Sequence, residues 1–258
     1  MNNIQVISEN HIINNIEDNV IINTDDTTLI IKVIKSYDKP IIIDNQIYKN
    51  INIFIEDNIE VSFLDIKDKA DYLSYKYNVG NNSKIVINKY DQFNDNEENI
   101  EVNLEGYKAE VLLNLGIVSL NKQIYNININ HLNNNTVSNV INRGIALNEG
   151  VIEFNVNGNV RPKMSNCYLN QDNKIITMDK GKGIIKPNLY IEDNMVEARH
   201  GASIGKFNEE VIFYLGTRGI NEKEAYKLLI EGFLFSNFNI EEKYRLELVE
   251  KLKGVINK

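Results

Sequence analysis

From about residue 4 to about residue 198 the chain is a succession of short apolar runs, each bounded by Asn, Asp or Gly, with no sustained helical period. Leu29 to Ile34, Ile51 to Ile55, Ile59 to Phe63, Ile124 to Ile129, Val151 to Val156 and Asn188 to Ile191 are examples. Runs this short, rich in Ile, Val, Tyr and Phe and often alternating with polar residues, predict strands, because such side chains fit a pleated surface whose faces alternate. Clusters such as Asn81-Asn82, Asn133-Asn134-Asn135 and Asn157-Gly158-Asn159 lie between them. They predict turns, since these residues tolerate left-handed backbone angles and close Asx turns. Many short strands at regular spacing are compatible with a sandwich, a barrel or a β-solenoid. The Asn-dotted, Ile-rich strands favour a parallel β-helix, in which each turn lays its apolar residues on those of the next. No strict repeat is visible, so irregular turns are expected. Frequent Asn, Ile and Lys reflect codon usage in the main, but the places where Asn sits carry information. The acidic stretch from Tyr90 to Asn99 reads as a loop.

A chain of 258 residues fits one large all-β domain with a small appendage, and 43% hydrophobic residues suffice for a sizeable core. With 28 basic and 36 acidic residues the net charge is −8. Clustered Lys and Arg are what phosphate-backbone binding requires, so neither nucleic acid nor an anionic membrane is an expected partner. One cysteine, Cys167, allows no intramolecular disulfide and suggests a reducing compartment. Met1 to Gln5 has neither the basic nor the apolar region of a signal peptide, and no apolar run approaches a membrane span. The expected location is cytoplasmic. Three His and one Cys leave little room for a closed Cys/His zinc site.

Beyond residue 205 the chain changes character. Asn208 can cap a helix whose first turn carries Glu209 and Glu210, which Phe207 can staple onto Ile212, and which Gly219 ends. Asn221-Glu222-Lys223-Glu224 opens a second helix, with Ala225, Leu228, Leu229 and Phe233 at helical spacing. Asn239-Ile240-Glu241-Glu242 opens a third, with Leu246, Val249 and Leu252 on one face. The expected division is a β body over 1–205 and a three-helix docking module over 206–258.

Few residues offer chemistry. His131, beside Asn133 to Asn135, reads as a half-exposed turn histidine, and His11 has no companion. Cys167 reads as a small buried hydrophobe, because a reactive thiol needs a base or a positive field. Gly181-Lys182-Gly183 lacks the spacing of a phosphate loop and opens no helix. His200 is the strongest candidate. It lies in Glu197-Ala198-Arg199-His200-Gly201 where strand gives way to helix, and a Glu, an Arg and a His together can present a metal ligand.

The run from Arg199 to Phe233 reads RHGASIGKFNEEVIFYLGTRGINEKEAYKLLIEGF. It resembles the C-terminal signature of the SufB/SufD family, the scaffolds of the Suf iron–sulfur cluster assembly system. That signature is a His-Gly-Ala-Thr-like segment, Glu-Glu, Phe-Tyr-Leu, Arg-Gly and a helix ending in Gly-Phe. The matching positions are His200 to Ser203, Glu209-Glu210, Phe213 to Leu215, Arg218-Gly219 and Gly232-Phe233. Weaker similarity runs upstream through His131, Thr136, Ser138, Asn170 to Asn173 and Pro187.

The resemblance implies a right-handed parallel β-helix followed by helices that bind SufC, an ABC-type ATPase. Glu209, Glu210, Phe213, Tyr214, Arg218 and Phe233 would form the docking face. It also implies two β-helices paired through their C-terminal ends, here as a homodimer where one gene supplies both halves. ATP hydrolysis would belong to SufC, with no nucleotide on this chain. A transient iron–sulfur cluster would form at the junction, with His200, Cys167, Asp172 and Glu197 as candidate ligands, since imidazole and carboxylate suit iron and thiolate suits clusters. The chain departs from the family at two positions. SufB-type chains carry Glu directly after the matching His, where this chain has Gly201, a SufD-like mark. SufB also carries a key cysteine in a Thr-Gln-Cys-Asp-type segment, where Asp172 stands here. Two further readings remain open at this point: a SufD-like structural partner without ligands, and a β-helical carbohydrate-binding protein or enzyme.

Overall fold

A computed structural model describes residues 20–256, except 26, 44–47, 68–71, 93–94 and 194. Of the segments discussed above, His11 lies outside the described residues. The β body is a two-sheet parallel solenoid. One sheet stacks, in order, β1 (Val20–Thr24), β2 (Thr28–Val33), β4 (Asn50–Ile55), β6 (Tyr72–Val79), β8 (Asn96–Leu104), β10 (Lys122–His131), β12 (Val151–Val160) and β14 (Lys182–Ile191). The other stacks β3 (Ile41–Ile43), β5 (Glu60–Lys67), β7 (Lys84–Gln92), β9 (Glu110–Ser119), β11 (Val137–Ala146), β13 (Cys167–Thr177) and β15 (Val196–Gly205). From β2 onward the chain crosses from one sheet to the other at every step. All pairings are parallel except β1 on β2, which is antiparallel and covers the outer edge of β2.

The expected strands fall, to within a residue, inside β2, β4, β5, β10, β12 and β14, and the parallel register settles the choice among sandwich, barrel and solenoid in favour of the last. Stacked residues are 24 apart at Glu60 and Lys84, 29 at Lys122 and Val151, and 31 at Val151 and Lys182, which is why no strict repeat is visible in the sequence. Alternation sends every second side chain inward. The result is one continuous core of Ile, Val, Leu, Tyr and Phe that includes Leu29, Ile31, Ile53, Tyr77, Ile100, Ile127 and Phe154.

The asparagines do two jobs. At one corner of the solenoid Asn58, Asn82, Lys108, Asn135 and Asn166 all have positive φ, between 50° and 61°. Each donates its backbone N–H to a carbonyl of the next turn, Asn58 to Asn81 and Asn135 to Ser165 for example. Asn adopts this left-handed conformation more cheaply than bulkier residues, so it recurs where the chain must turn. On the outer face of the even-numbered sheet Asn side chains form ladders. Asn155 donates to Asn126 (2.8 Å) and Asn126 to Asn99 (3.0 Å). Asn188 donates to Asn157 (2.9 Å) and Asn157 to Asn128 (2.8 Å). Asn159, Asn130 and Asn103 form a third ladder.

Tyr90 to Asn99 is not the expected loop. Most of it belongs to β7 and β8. Two of its acids, Asp91 and Glu98, are tolerated in strands because they face inward to partners, while Glu97 points to solvent. Glu98 lies 2.9 Å from the Lys89 ammonium, and Asp91 accepts a hydrogen bond from the Tyr125 hydroxyl at 2.8 Å.

Three helices follow: α1 (Glu209–Thr217), α2 (Glu222–Phe235) and α3 (Glu242–Ile256). The Asn208 side chain accepts from the Glu210 N–H and Asn221 accepts from the Glu224 N–H, as the cap signals predict. Arg218 is the C-cap of α1, and Gly219 follows at φ +85°, a backbone state that favours glycine. Two details differ from expectation. Phe207 packs on the rings of Tyr226 and Phe233, both at 6.2 Å, so it ties α1 to α2. The buried face of α2 is Ala225, Ile230, Leu234 and Phe235, with Leu228 51% exposed, and that of α3 holds Tyr244, Leu248 and Leu252, with Leu246 exposed. Both faces are set by the outer side of the odd-numbered sheet, where Tyr90, Val118 and Ile145 form a second core with them. Gly116 permits the approach: a Cβ there would lie 3.4 Å from the Phe238 ring and 3.5 Å from the Leu234 carbonyl.

Candidate functional site

The solenoid ends on β14 and β15, the last strands of their sheets, each ten residues long and each paired on one side only among the described residues. Nearly all of β15 is exposed, including Ile204, and Tyr190 on β14 and Met195 just before β15 are also exposed. An unpaired flat edge of this length is a template for another strand, and proteins that remain monomeric usually shield it with charge, proline or a covering segment. Here β15 has no proline and its charged or titratable side chains are Glu197, Arg199 and His200, while β14 carries Lys182, Lys186 and Pro187.

Register sorts the candidate ligands. β15 lies on β13, with Cys167 beside Val196, Gln171 beside His200 and Asp172 beside Gly201. In β13 the buried residues Cys167, Leu169, Gln171 and Asn173 alternate with half-buried Tyr168, Asn170 and Asp172. His200 therefore continues the inward row, at the open mouth of the core. Glu197 continues the outward row, where its carboxylate pairs with Arg199 two residues along. Asp172 also faces outward. Its carboxylate is held by Arg143 at 2.5 Å and Lys174 at 3.5 Å, and the Arg143 guanidinium also donates to the Asp172 carbonyl at 2.9 Å. Arg143 in turn lies 5.9 Å from the Phe233 ring of α2, so one buried cation joins the helices to the strand beneath the edge. Among the described residues no group of three or more His, Cys, Asp or Glu is placed to hold a metal ion.

Cys167 is buried, as expected for a small hydrophobe, and packs against Val160 and Leu169. His131 is not the half-exposed turn residue the sequence suggests. It is fully buried at the inner corner where the chain passes from β10 to β11, because it continues the inward row of Ile127 and Ile129. Its Nδ1 lies 2.7 Å from the Thr136 hydroxyl and its Nε2 2.8 Å from Ser138. Thr136 donates to the Asn133 carbonyl (3.1 Å), which can only accept. With its one proton on that carbonyl, the Thr136 hydroxyl accepts from Nδ1–H, and Nε2 accepts from Ser138. Thr136 also lies 3.3 Å from the Cys167 sulfur. Burial holds the His131 imidazole neutral, with its pKa lowered to about 3.

On the helices, Glu209, Glu210, Phe213, Tyr214 and Arg218 are all exposed, Phe213 by 74%, and Arg218 stacks 5.3 Å above the Tyr214 ring. α1 has no buried residue. With Leu228 of α2 it offers an uncovered apolar surface, whereas Phe233 is half-buried against Phe207 and Arg143.

Comparison with known proteins places this architecture. A family model described as "SUF system FeS cluster assembly, SufBD core domain" matches residues 10–233. The chain belongs to the SufBD core-domain family. A SufD of Bacillus subtilis is 30% identical over 96 residues, 37% of this chain and 22% of that protein. A SufBD family protein of Synechocystis is 27% identical over 104 residues, 40% of this chain and 22% of the relative. One from Mycobacterium leprae is 50% identical over 48 residues, 18% of this chain and 12% of the relative. The matched segments thus span about a fifth or less of these relatives' length. Within this SufBD core the sequence gives no role to Gln171 and Asn173, which it shows only as part of a stretch of weak similarity, and it passes over Arg143 and Lys89. For three of them the signal is an offset of one turn: Lys89 stands 24 residues from Asp65, Asn173 31 from Asn142 and Gln171 29 from His200, whereas Arg143 reaches Asp172 diagonally across the register. Those offsets become meaningful only once the turn length is known. Among the described residues no helix is long and apolar enough to cross a membrane.

Proposed function

We propose that this chain is a cytoplasmic scaffold subunit of a Suf-type iron–sulfur cluster assembly complex. It pairs through its open solenoid end with a second SufB/SufD-type scaffold, here another copy of itself, and binds a SufC-like ABC ATPase through its helices. The observation that carries the reading is the edge formed by β14 and β15, with His200 on its inward row and an uncovered helix α1 beside it. Pairing two such edges would satisfy the unbonded backbone groups and bury Ile204 and Tyr190. It would also bring two His200 rings to one junction. Iron and sulfide would be cargo at that junction, with imidazole from His200 as one ligand and the others contributed across it. ATP hydrolysis would occur in the partner ATPase, and this chain would act as the non-catalytic body that its motion works on.

The split of the candidate ligands favours a second reading. Asp172 and Glu197 face outward and are ion-paired, and Cys167 sits beside Val196, one row from the edge but four residues from His200 along the strand. In that reading the chain is a SufD-like structural partner and the chemistry occurs elsewhere.

Co-expression and purification with a SufC-like ABC ATPase, followed by sedimentation analysis, tests the assembly. A complex of two scaffold chains with bound ATPase is expected, and a monomer that ignores the ATPase would sink the reading. His200→Ala in an anaerobic cluster reconstitution separates the two readings. Lost cluster yield in an intact complex supports the ligand role, and unchanged yield supports the structural one.

A further inference from the structure

Gln171 is buried, with only 3% of its surface exposed, and it lies on the inward row directly beneath His200, one strand spacing of about 4.8 Å away. Its Nε2 donates to the Asn188 backbone carbonyl at 3.4 Å. A carbonyl can only accept, so the amide turns its NH2 toward β14 and its oxygen the other way. That oxygen, Oε1, is buried and has no hydrogen-bond partner among the described residues. A buried acceptor left unbonded is costly, by more than a typical hydrogen bond gains, so it points to a donor supplied in the working state. The nearest side chain above it on the same row is the imidazole of His200.

The strand is held from the same side just beyond His200. Asn142 donates to Asn173 at 2.6 Å, and Asn173 donates to the carbonyl of Gly201 at 3.2 Å. The last strand is thus fixed by an internal amide ladder one residue beyond the histidine, on an otherwise exposed edge.

We propose that Gln171 is the positioning residue of His200. Its Oε1 accepts the N–H of one imidazole nitrogen, which sets the tautomer and turns the other nitrogen, as a lone-pair donor, toward the open end. Histidines that bind metals commonly give their second ring N–H to such an acceptor, which fixes both tautomer and orientation. The inference deepens the reading of His200 as an iron contact and rests on it for the identity of the ligand, but the tautomer it requires can be read without any metal.

The test uses the full chain with 15N-labelled histidine, its His200 signals assigned by their loss in His200→Ala. In the unsubstituted protein the two His200 ring nitrogens are expected to show one dominant tautomer. Gln171→Leu should give a mixture of tautomers, and Gln171→Glu, which keeps an acceptor oxygen, should restore the single form. Gln171→Met provides the same comparison should the leucine variant fold poorly. Titration with Co2+ alone is the second readout: Gln171→Leu should weaken binding about 10- to 100-fold and His200→Ala should abolish it. A tautomer population unmoved by Gln171→Leu and Gln171→Met would overturn the proposal. Cobalt binding unchanged in His200→Ala would instead remove the metal-contact reading, leaving the tautomer result to decide the role of Gln171.

Discussion

Lys89 carries its charge at the centre of an apolar solenoid. Its ammonium pairs with Asp65 on the turn before and lies 2.9 Å from Glu98 and 3.9 Å from the centre of the Tyr75 ring. Burial alone would strip the proton, but the Asp65 and Glu98 carboxylates outweigh it and hold the pKa well above the ordinary lysine range. Removing one member of such a group leaves buried charge uncompensated, so Lys89→Met is expected to cost about 3–5 kcal/mol, read from urea unfolding. His131 has the opposite disposition. Its pKa is lowered to about 3 by burial, so between pH 6.5 and 3 the unfolded chain binds a proton that the folded chain refuses. Stability therefore falls as pH drops through that window, by about 2 kcal/mol from pH 7 to pH 5 through this one residue. His131→Gln should flatten the acid limb of a plot of stability against pH. Neither residue announces itself in the sequence. Lys89 stands immediately before an acidic stretch that reads as a loop, and His131 stands next to three asparagines that read as an exposed turn. In both cases the local composition is polar while the alternation, which decides the face, points inward.

At the scale of the element, the strands were legible because β-branched runs and Asn turns are local properties, although Asn157-Gly158-Asn159, which reads as a turn, lies within β12. The helix starts were legible for the same reason, through Asn208 and Asn221. Which face of α2 and α3 is buried was not, because it depends on Tyr90, Val118 and Ile145, more than 75 residues upstream. Likewise the strand alternation cannot tell how His200, Gln171 and Asp172 share faces until the register of β13 on β15 is known. Two elements invite direct tests. Phe213→Asp on α1 touches nothing buried, so the fold should survive with an unchanged melting temperature while binding of the ATPase is lost in a pull-down or titration. Ala202→Pro removes a backbone N–H from the middle of the edge strand and sets a ring against an incoming chain. It is expected to convert a dimer to a monomer in sedimentation, with the helices still formed by circular dichroism.

For the whole molecule, the helices and the solenoid share a core and do not sit apart as beads. Leu234, Phe235 and Phe238 cover the outer face of the odd-numbered sheet, and the Tyr90 and Phe235 rings meet edge-on at 5.2 Å. Truncation after Gly205 would uncover Tyr90, Val118 and Ile145 together. The truncated chain is expected to bind a hydrophobic dye and to aggregate on heating, whereas the full chain should melt in one transition. The shared core also gives any motion of the helices a stiff route to the last strands, through Phe233, Arg143 and Asp172.

Asn157 and Gly158 have a further consequence, for the chemical lifetime of the protein. In a flexible peptide an Asn-Gly pair deamidates readily, because the glycine nitrogen can swing onto the side-chain amide carbon and close a succinimide ring. Here Asn157 donates to Asn128 and accepts from Asn188, and the Gly158 backbone is held extended between β10 and β14. The ring cannot close from that geometry. Conversion of Asn157 to aspartate or isoaspartate, followed by mass spectrometry of stored protein, would then record how often the solenoid opens at this turn.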